Sequence, residues 1–458
     1  MKKINKFTAL LCLLALLTGL IACTQTPDST SPGGDEFLTV SPPDRIQLTF
    51  SLWGDPAEQE ATQAALNIYN NLQDLVWVTA LQIPNEEYAE LLQAMARAGS
   101  MPDCGMVNEA TVLGWARDGL LMPIDIFAGQ QHRPLEYLAF RDNSGETVTY
   151  SSANEVLALW FNREMFDKAG IEYPPITLDT AWTWDEFIEV AKQLTFDANG
   201  NTPNDADFDK NSIRQYGAYV NQWTWQLEVW ALSNGGKWFS EDGGTIVFDD
   251  AAIEAMQRVV DLHLVHNVAP FIPATSDTGF AESMAKGNVA MTTEGQWAVG
   301  FYADLDINYG VAVLPYMQRK VNIATGGPVA VFADTDYPEE VADFVRWYTD
   351  EDNNFALIEA GWWMPSKVNW YSEPLLTKWI DNVPLRARLP SGAYRTAIVD
   401  VAMDFDVTQS AGWYYTPNTY EIINTIMNPA MVEAIRGNKT VAQVIEEIRP
   451  KIEAALRG

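Results

Sequence analysis

Cysteine, histidine and basic side chains are all scarce in this chain. Its 458 residues include three cysteines (Cys12, Cys23, Cys104) and three histidines (His132, His263, His266). That excludes a disulfide scaffold and gives poor support to a multi-histidine metal site or a Cys–His catalytic pair. Cys104, after Met101-Pro102-Asp103, reads as a small core residue and not as a nucleophile. Lysine and arginine total 29 against 61 acidic residues, a formal charge of −32. So negative a surface argues against nucleic acid and anionic lipid headgroups as partners, and it suits neutral or cationic ligands. Beyond the N-terminus no apolar run reaches the ~20 residues of a spanning helix, so a soluble body is expected.

What is present begins with a leader. Lys2, Lys3 and Lys6 precede an apolar run from Phe7 to Leu17, and Leu20-Ile21-Ala22-Cys23 follows. A basic end, a short apolar core and small residues before a cut site describe a secretory signal over residues 1–23. The last four residues resemble a bacterial lipobox, which implies a diacylated Cys23 at the mature N-terminus. An ordinary signal with an incidental cysteine, or a short membrane anchor, is the competing reading. Residues 24–44, rich in Ser, Thr, Pro, Gly and Asp, read as a flexible linker. Membrane attachment is thus expected through lipid only, with export to the outer face of the cell membrane or to the periplasm.

The remaining chain, roughly 400 residues, is long enough for two or three domains. Ile46 to Trp53 alternates as a strand and stops at Gly54-Asp55-Pro56, where Asp55 is a good N-cap with Pro56 at the first helical position. Ala61, Ala64, Ala65, Ile68, Tyr69 and Leu72 then share a helical face. A strand over Val76–Leu81, a helix over Asn85–Ala98 and a strand near Met106 continue the alternation. Such a pattern predicts an α/β fold with mainly parallel sheets covered on both faces. The character changes at Asn154-Glu155, before the apolar strand Val156–Phe161. Thr183 to Glu186 matches a capping box. Helices are predicted over Trp223–Leu232, Asp249–Val265, Pro338–Tyr348 and Thr440–Leu456, and a strand over Ile307–Leu314.

In this order the segments resemble the extracellular solute-binding proteins of bacterial ABC importers, in the carbohydrate-binding family that includes maltose-binding protein. The most specific portions are Phe280 to Met291 (FAESMAKGNVAM) and Thr293-Glu294-Gly295-Gln296-Trp297, followed by Gly326-Gly327 and the Pro338 and Thr440 helices. The resemblance implies two α/β lobes joined by crossing strands, with the ligand in the cleft between them. It places residues 45–153 and 305–348 in the N-terminal lobe, and 154–304 and 349–458 in the C-terminal lobe. It also implies ABC permease subunits as partners and a monomeric receptor needing no cofactor.

Sugars present apolar C–H faces and a rim of hydroxyls, which aromatic rings and carboxylates or amides recognise respectively. The 17 tryptophans and 17 tyrosines therefore direct attention to loops at strand ends. Trp53, Asp55 and Glu58 follow the first strand, and Asn108 and Glu109 follow the third. Trp223, Trp225 and Glu294 are candidates in the second lobe, with Trp362, Trp363 and Tyr414 as further rings, while Gly326 and Gly327 let a ligand approach backbone. The resemblance aligns Trp297 and Trp413 with cleft rings. Trp77, Trp160, Trp230 and Trp347 lie on strand or helix faces and are assigned to the core.

The loop Asp197-Ala-Asn199-Gly-Asn201, with Asp205 and Asp209 nearby, matches the first oxygen positions of a calcium loop, and some relatives carry calcium in such a loop. Thr202 stands where that loop needs glycine and Phe208 where it needs glutamate, so a turn-rich surface loop is the favoured reading. No catalytic residue is assigned. The expected function is a receptor for a neutral sugar or oligosaccharide. A secreted glycoside hydrolase, or a receptor of the same fold for a peptide or polyamine, is the alternative.

Overall fold

The computed structural model describes residues 41–54, 56–124, 135–142, 144–221, 224–240, 243–271, 279–303, 305–382, 386, 388–390, 392–416 and 418–457. Strand β1 (Ile46–Leu52) is followed by helix α1 (Pro56–Leu72), β2 (Val76–Gln82), α2 (Asn85–Ala98), β3 (Cys104–Met106) and α3 (Glu109–Arg117). β1 lies between β2 and β3, parallel to both, with Ile46 opposite Val76 and Phe50 opposite Cys104. Asn108 caps α3 by accepting the Ala110 N–H at 2.9 Å. After β4 (Leu121–Met122), the strands β5 (Ala139–Arg141) and β6 (Thr147–Ser151) form an antiparallel pair in the same sheet.

The chain then crosses into β7 (Glu155–Asn162), buried at every position. That pattern is what an unbroken apolar run gives when both faces of a sheet are covered. Helix α4 (Trp184–Gln193) opens with the complete capping box: the Thr183 hydroxyl accepts the Glu186 N–H, and the Glu186 carboxylate accepts the Thr183 N–H. Next come β8 (Phe196–Asp197), β9 (Ile213–Val220), α5 (Thr224–Ser233), α6 (Asp250–Leu264), β10 (Val289–Gly295), β11 (Tyr309–Ala312), β12 (Asn322–Thr325) and β13 (Pro328–Phe332). Helix α7 (Pro338–Tyr348), β14 (Thr408–Ser410) and α8 (Val441–Arg457) complete the elements used below. α8 buries Val441, Val444, Ile445, Ile448 and Ile452 along one face.

Two sheets result, ordered β2-β1-β3-β13-β6-β5 with β4 on β13, and β14-β12-β7-β10-β9-β8 with β11 on β7. The architecture is α/β in two lobes, but two sequence expectations are corrected. Among the named strands of the described residues, parallel pairing is confined to β2-β1-β3, β9-β10 and β12-β14, because strands that cross from the other lobe enter against the local direction. β7 therefore runs antiparallel to β10, β11 and β12, and β13 antiparallel to β3 and β6. Second, residues 309–325 belong to the second lobe, not the first. β11 and β12 fill one edge of β7, with Ala312 opposite Leu159 and Ala324 opposite Val156, and the first sheet resumes only at Pro328. The two crossing passages thus lie side by side, Glu155 paired with Thr325 and Ser151 with Pro328. A third passage joins them where the Asn154 N–H donates to the Met364 carbonyl at 3.2 Å.

Candidate functional site

The crossing passages carry Gly326 and Gly327, and both glycines stand where a side chain has little or no room. A Cβ on Gly326 would lie 2.1 Å from the Ala153 carbonyl oxygen. On Gly327 it would face Met106, Trp363 and Trp53, the nearest atom at 3.1 Å. Two tryptophans far apart in the sequence therefore border the same half-buried glycine.

Three carboxylates converge on this centre. Glu109, the first residue of α3, accepts the Thr325 hydroxyl at 2.7 Å and the Gly326 N–H at 3.0 Å. Glu58 in α1 accepts the Trp363 indole N–H at 3.3 Å. Glu155, at the start of β7, accepts an amide N–H of Gln296 at 2.9 Å. Burial raises the Glu155 carboxyl well above the usual range, and the charges of Glu58 and Glu109 push it the same way. Burial likewise raises Glu109, against its hydrogen bonds to Thr325 and Gly326.

A buried polar network holds the aromatic wall from behind. Gln296 also donates to the Trp362 carbonyl and accepts from the Tyr394 hydroxyl at 2.6 Å. Arg386 donates to the carbonyls of Ile358, Gly361, Trp363 and Trp379, with its guanidinium against the rings of Trp379 and Tyr394. On the second lobe Trp413 and Tyr414 meet edge to face at 4.4 Å, and the Tyr414 hydroxyl donates to the Ala324 carbonyl at 2.7 Å.

The structure thus brings Trp53, Glu58, Glu109, Gly326, Gly327 and Trp363 together, and the Tyr414 hydroxyl bonds to the adjoining strand β12. Glu294 is buried, and its carboxylate accepts from Asn221 at 2.6 Å and Gln226 at 3.0 Å, bracing one end of α5. Trp297 packs over its own neighbour Gly295, and Trp362 over Gly300 and Phe301. Asn108 is exposed and serves as the cap of α3. Asp55, Trp223, Cys23 and the side chain of Trp225 lie outside the described residues. Sequence reasoning did not single out Met106, Glu155, Gln296, Glu228 or Arg386 as site residues. The change of character at Asn154-Glu155 marked the crossing, and a charged residue opening an apolar strand was the available signal.

The acidic loop closes on itself. Asp197 accepts the N–H groups of Asn199, Asn201 and Asp209 at 2.8, 2.9 and 3.0 Å, and the Asn201 side chain at 3.2 Å. These bonds, the Asp209 N–H foremost, hold its carboxyl down to about 2. Asp205 accepts from Thr202, and Asp209 from Asn211. Among the described residues no group of three or more His, Cys, Asp or Glu side chains is set to hold a metal ion, and the loop of Asp197, Asn199, Asn201, Asp205 and Asp209 is held by its own hydrogen bonds.

Residues 57–355 match the family model described as bacterial extracellular solute-binding protein. The chain belongs to that family. This solute-binding protein is 25% identical over 266 residues to the sn-glycerol-3-phosphate-binding periplasmic protein of Agrobacterium fabrum, covering 55% of each chain. It is 23% identical over 313 residues to a maltotriose-binding protein of Pyrococcus abyssi, covering 64% of this chain and 60% of that one. The solute-binding protein thus spans little more than half the length of the curated relatives it matches, 55% in the first case. Its fold is that of an ABC substrate-binding protein from Listeria monocytogenes in complex with cycloalternan, with a TM-score of 0.73 at 19% identity over 90% of this chain and 99% of that one. The maltose/maltodextrin-binding domain from Bdellovibrio bacteriovorus, bound to maltotriose, superposes with a TM-score of 0.71 at 17% identity over 90% and 100%.

Proposed function

We propose that this solute-binding protein is a non-catalytic, lipid-anchored receptor that takes a neutral sugar or oligosaccharide between its lobes and delivers it to an ABC permease. The observation that carries the reading is the meeting of Trp53 and Trp363 with Glu58, Glu109 and Glu155 around Gly327 at the lobe crossing. Flat rings suit the C–H face of a pyranose, and buried acceptors suit its hydroxyls. Fold neighbours bound to cycloalternan and maltotriose support the same class. The acidic lining favours a neutral sugar over a phosphate ester, and Arg386 turns its donors to backbone carbonyls. Export and acylation of Cys23, with the body acting as a monomer, complete the proposal.

Tryptophan fluorescence and thermal melting with maltotriose, other oligosaccharides and sn-glycerol 3-phosphate, with product analysis, test it. A saturable shift and a raised melting temperature with a sugar, without product, is the expected result. Binding of glycerol phosphate alone overturns the ligand class, and sugar cleavage overturns the receptor role. A fatty-acid label retained by the wild type and lost in Cys23→Ser tests the anchor.

A further inference from the structure

Helix α5 is buried at every residue whose side chain is described, and it carries two polar side chains that do not share a face. Gln226 and Glu228 are two positions apart, roughly 200° around an α-helix, so they reach opposite neighbours. Gln226 reaches Glu294 at the end of β10. Glu228, 2% exposed, reaches the turn Gly412–Tyr415. Both of its oxygens accept the Gly412 N–H, at 3.1 and 3.0 Å, and the Trp413 N–H meets the same carboxylate.

The first N–H groups of such a turn find no partner within it, and here a side chain from another element supplies one. Gly412 is fitted to that contact, since a Cβ there would stand 2.7 Å from Glu228 Oε1. Leucine at 228 would fill the same interior without the penalty of burying a carboxyl group. The turn is also held by the Tyr414 hydroxyl on the Ala324 carbonyl of the crossing strand and by the Thr419 hydroxyl on the Trp413 carbonyl at 2.9 Å.

We infer that Glu228 is a positioning residue for the cleft: it fixes the Gly412–Tyr415 turn and so sets where the rings of Trp413 and Tyr414 stand beside the crossing. The inference rests on the proposed sugar site for its functional meaning, and its geometric part is testable without a ligand. The full chain is labelled with 5-fluorotryptophan, and the Trp413 fluorine resonance is assigned by its loss in Trp413→Phe.

In Glu228→Gln the Trp413 resonance is expected to move, while those of Trp77 and Trp379 stay. Amide exchange over residues 411–416 should quicken by about tenfold as the carboxyl acceptor of the Gly412 and Trp413 N–H groups is replaced. Gly412→Ala should move the same resonance, and the double variant should move it no further than the larger single effect. Maltotriose, used as the probe sugar, should bind about tenfold more weakly to Glu228→Gln. If the wild type ignores maltotriose and every other sugar tested, the sugar reading fails while the fluorine and exchange results still decide the positioning role. An unchanged Trp413 resonance with unchanged exchange overturns it. So does a uniform shift of all tryptophans, which marks general loosening.

Discussion

At the scale of single residues, the two glycines of the crossing predict opposite outcomes for the same substitution. Gly326→Ala places a methyl 2.1 Å from a backbone carbonyl, which has no side-chain torsion to yield. It should destabilise the protein by about 2 kcal/mol or more in denaturant melts. Gly327→Ala meets the flexible Met106 terminus at 3.1 Å and Trp363 and Trp53 at the ordinary contact distances of 3.7 and 3.9 Å, and should change stability by less than about 1 kcal/mol. Its methyl should instead weaken ligand binding, measured by titration calorimetry. Removing the acceptor in Glu109→Ala strands the Gly326 N–H and the Thr325 hydroxyl, and should cost about 1–3 kcal/mol in the same melts.

Buried carboxyls also set a pH dependence. Burial pushes Glu228 up to about 8, with only the Gly412 and Trp413 amides opposing it. Tyr414, in the turn it holds, is pushed well up by burial first and then by the charges of Glu109 and Glu228. Between the usual carboxylate range and 8, the folded state keeps a proton that the unfolded chain has released. Stability therefore falls as pH rises through that window, by about 1.4 kcal/mol per pH unit for one such group. Glu155 and Glu109 act with the same sign, whereas Asp197, held near 2, favours folding above the acid range. The melting temperature should peak near pH 4–5 and decline toward pH 9, and Glu228→Gln should flatten the decline.

At the scale of elements, the acidic loop and α5 show how local pattern and tertiary demand divide. In the loop, Asp197 finds its donors within twelve residues, so the turn-rich reading could be made from sequence alone. Calcium or EDTA should leave the melting temperature unchanged, and Asp197→Ala should raise amide exchange across residues 199–211. For α5 the sequence predicts a helix, and Thr224–Ser233 is one. Nothing local reveals that Gln226 and Glu228 serve different loops, because their partners lie 68 and 184 positions away.

At the scale of the whole molecule, the lobes meet through paired crossing strands, and α3 grips the crossing through Glu109 and the far lobe through the bond of Arg117 to Asn418 at 2.8 Å. Ligand that bridges the lobes should stabilise a closed form, so small-angle scattering should show a smaller radius of gyration with a bound sugar. Truncation before Val441 removes a helix that buries five large apolar side chains, and should abolish cooperative unfolding.

Periodicity and caps determined the element types and the α/β class, and the resemblance carried by segment order implied the two lobes. Those signals are short-range, and a few residues suffice to express them. The lobe to which 309–325 belongs, the antiparallel course of β7 and the gathering of Glu58, Glu109 and Glu155 were decided only in three dimensions. Strand pairing depends on which buried edge is left to fill, and carboxylates far apart in sequence acquire a shared environment only when the chain crosses between lobes.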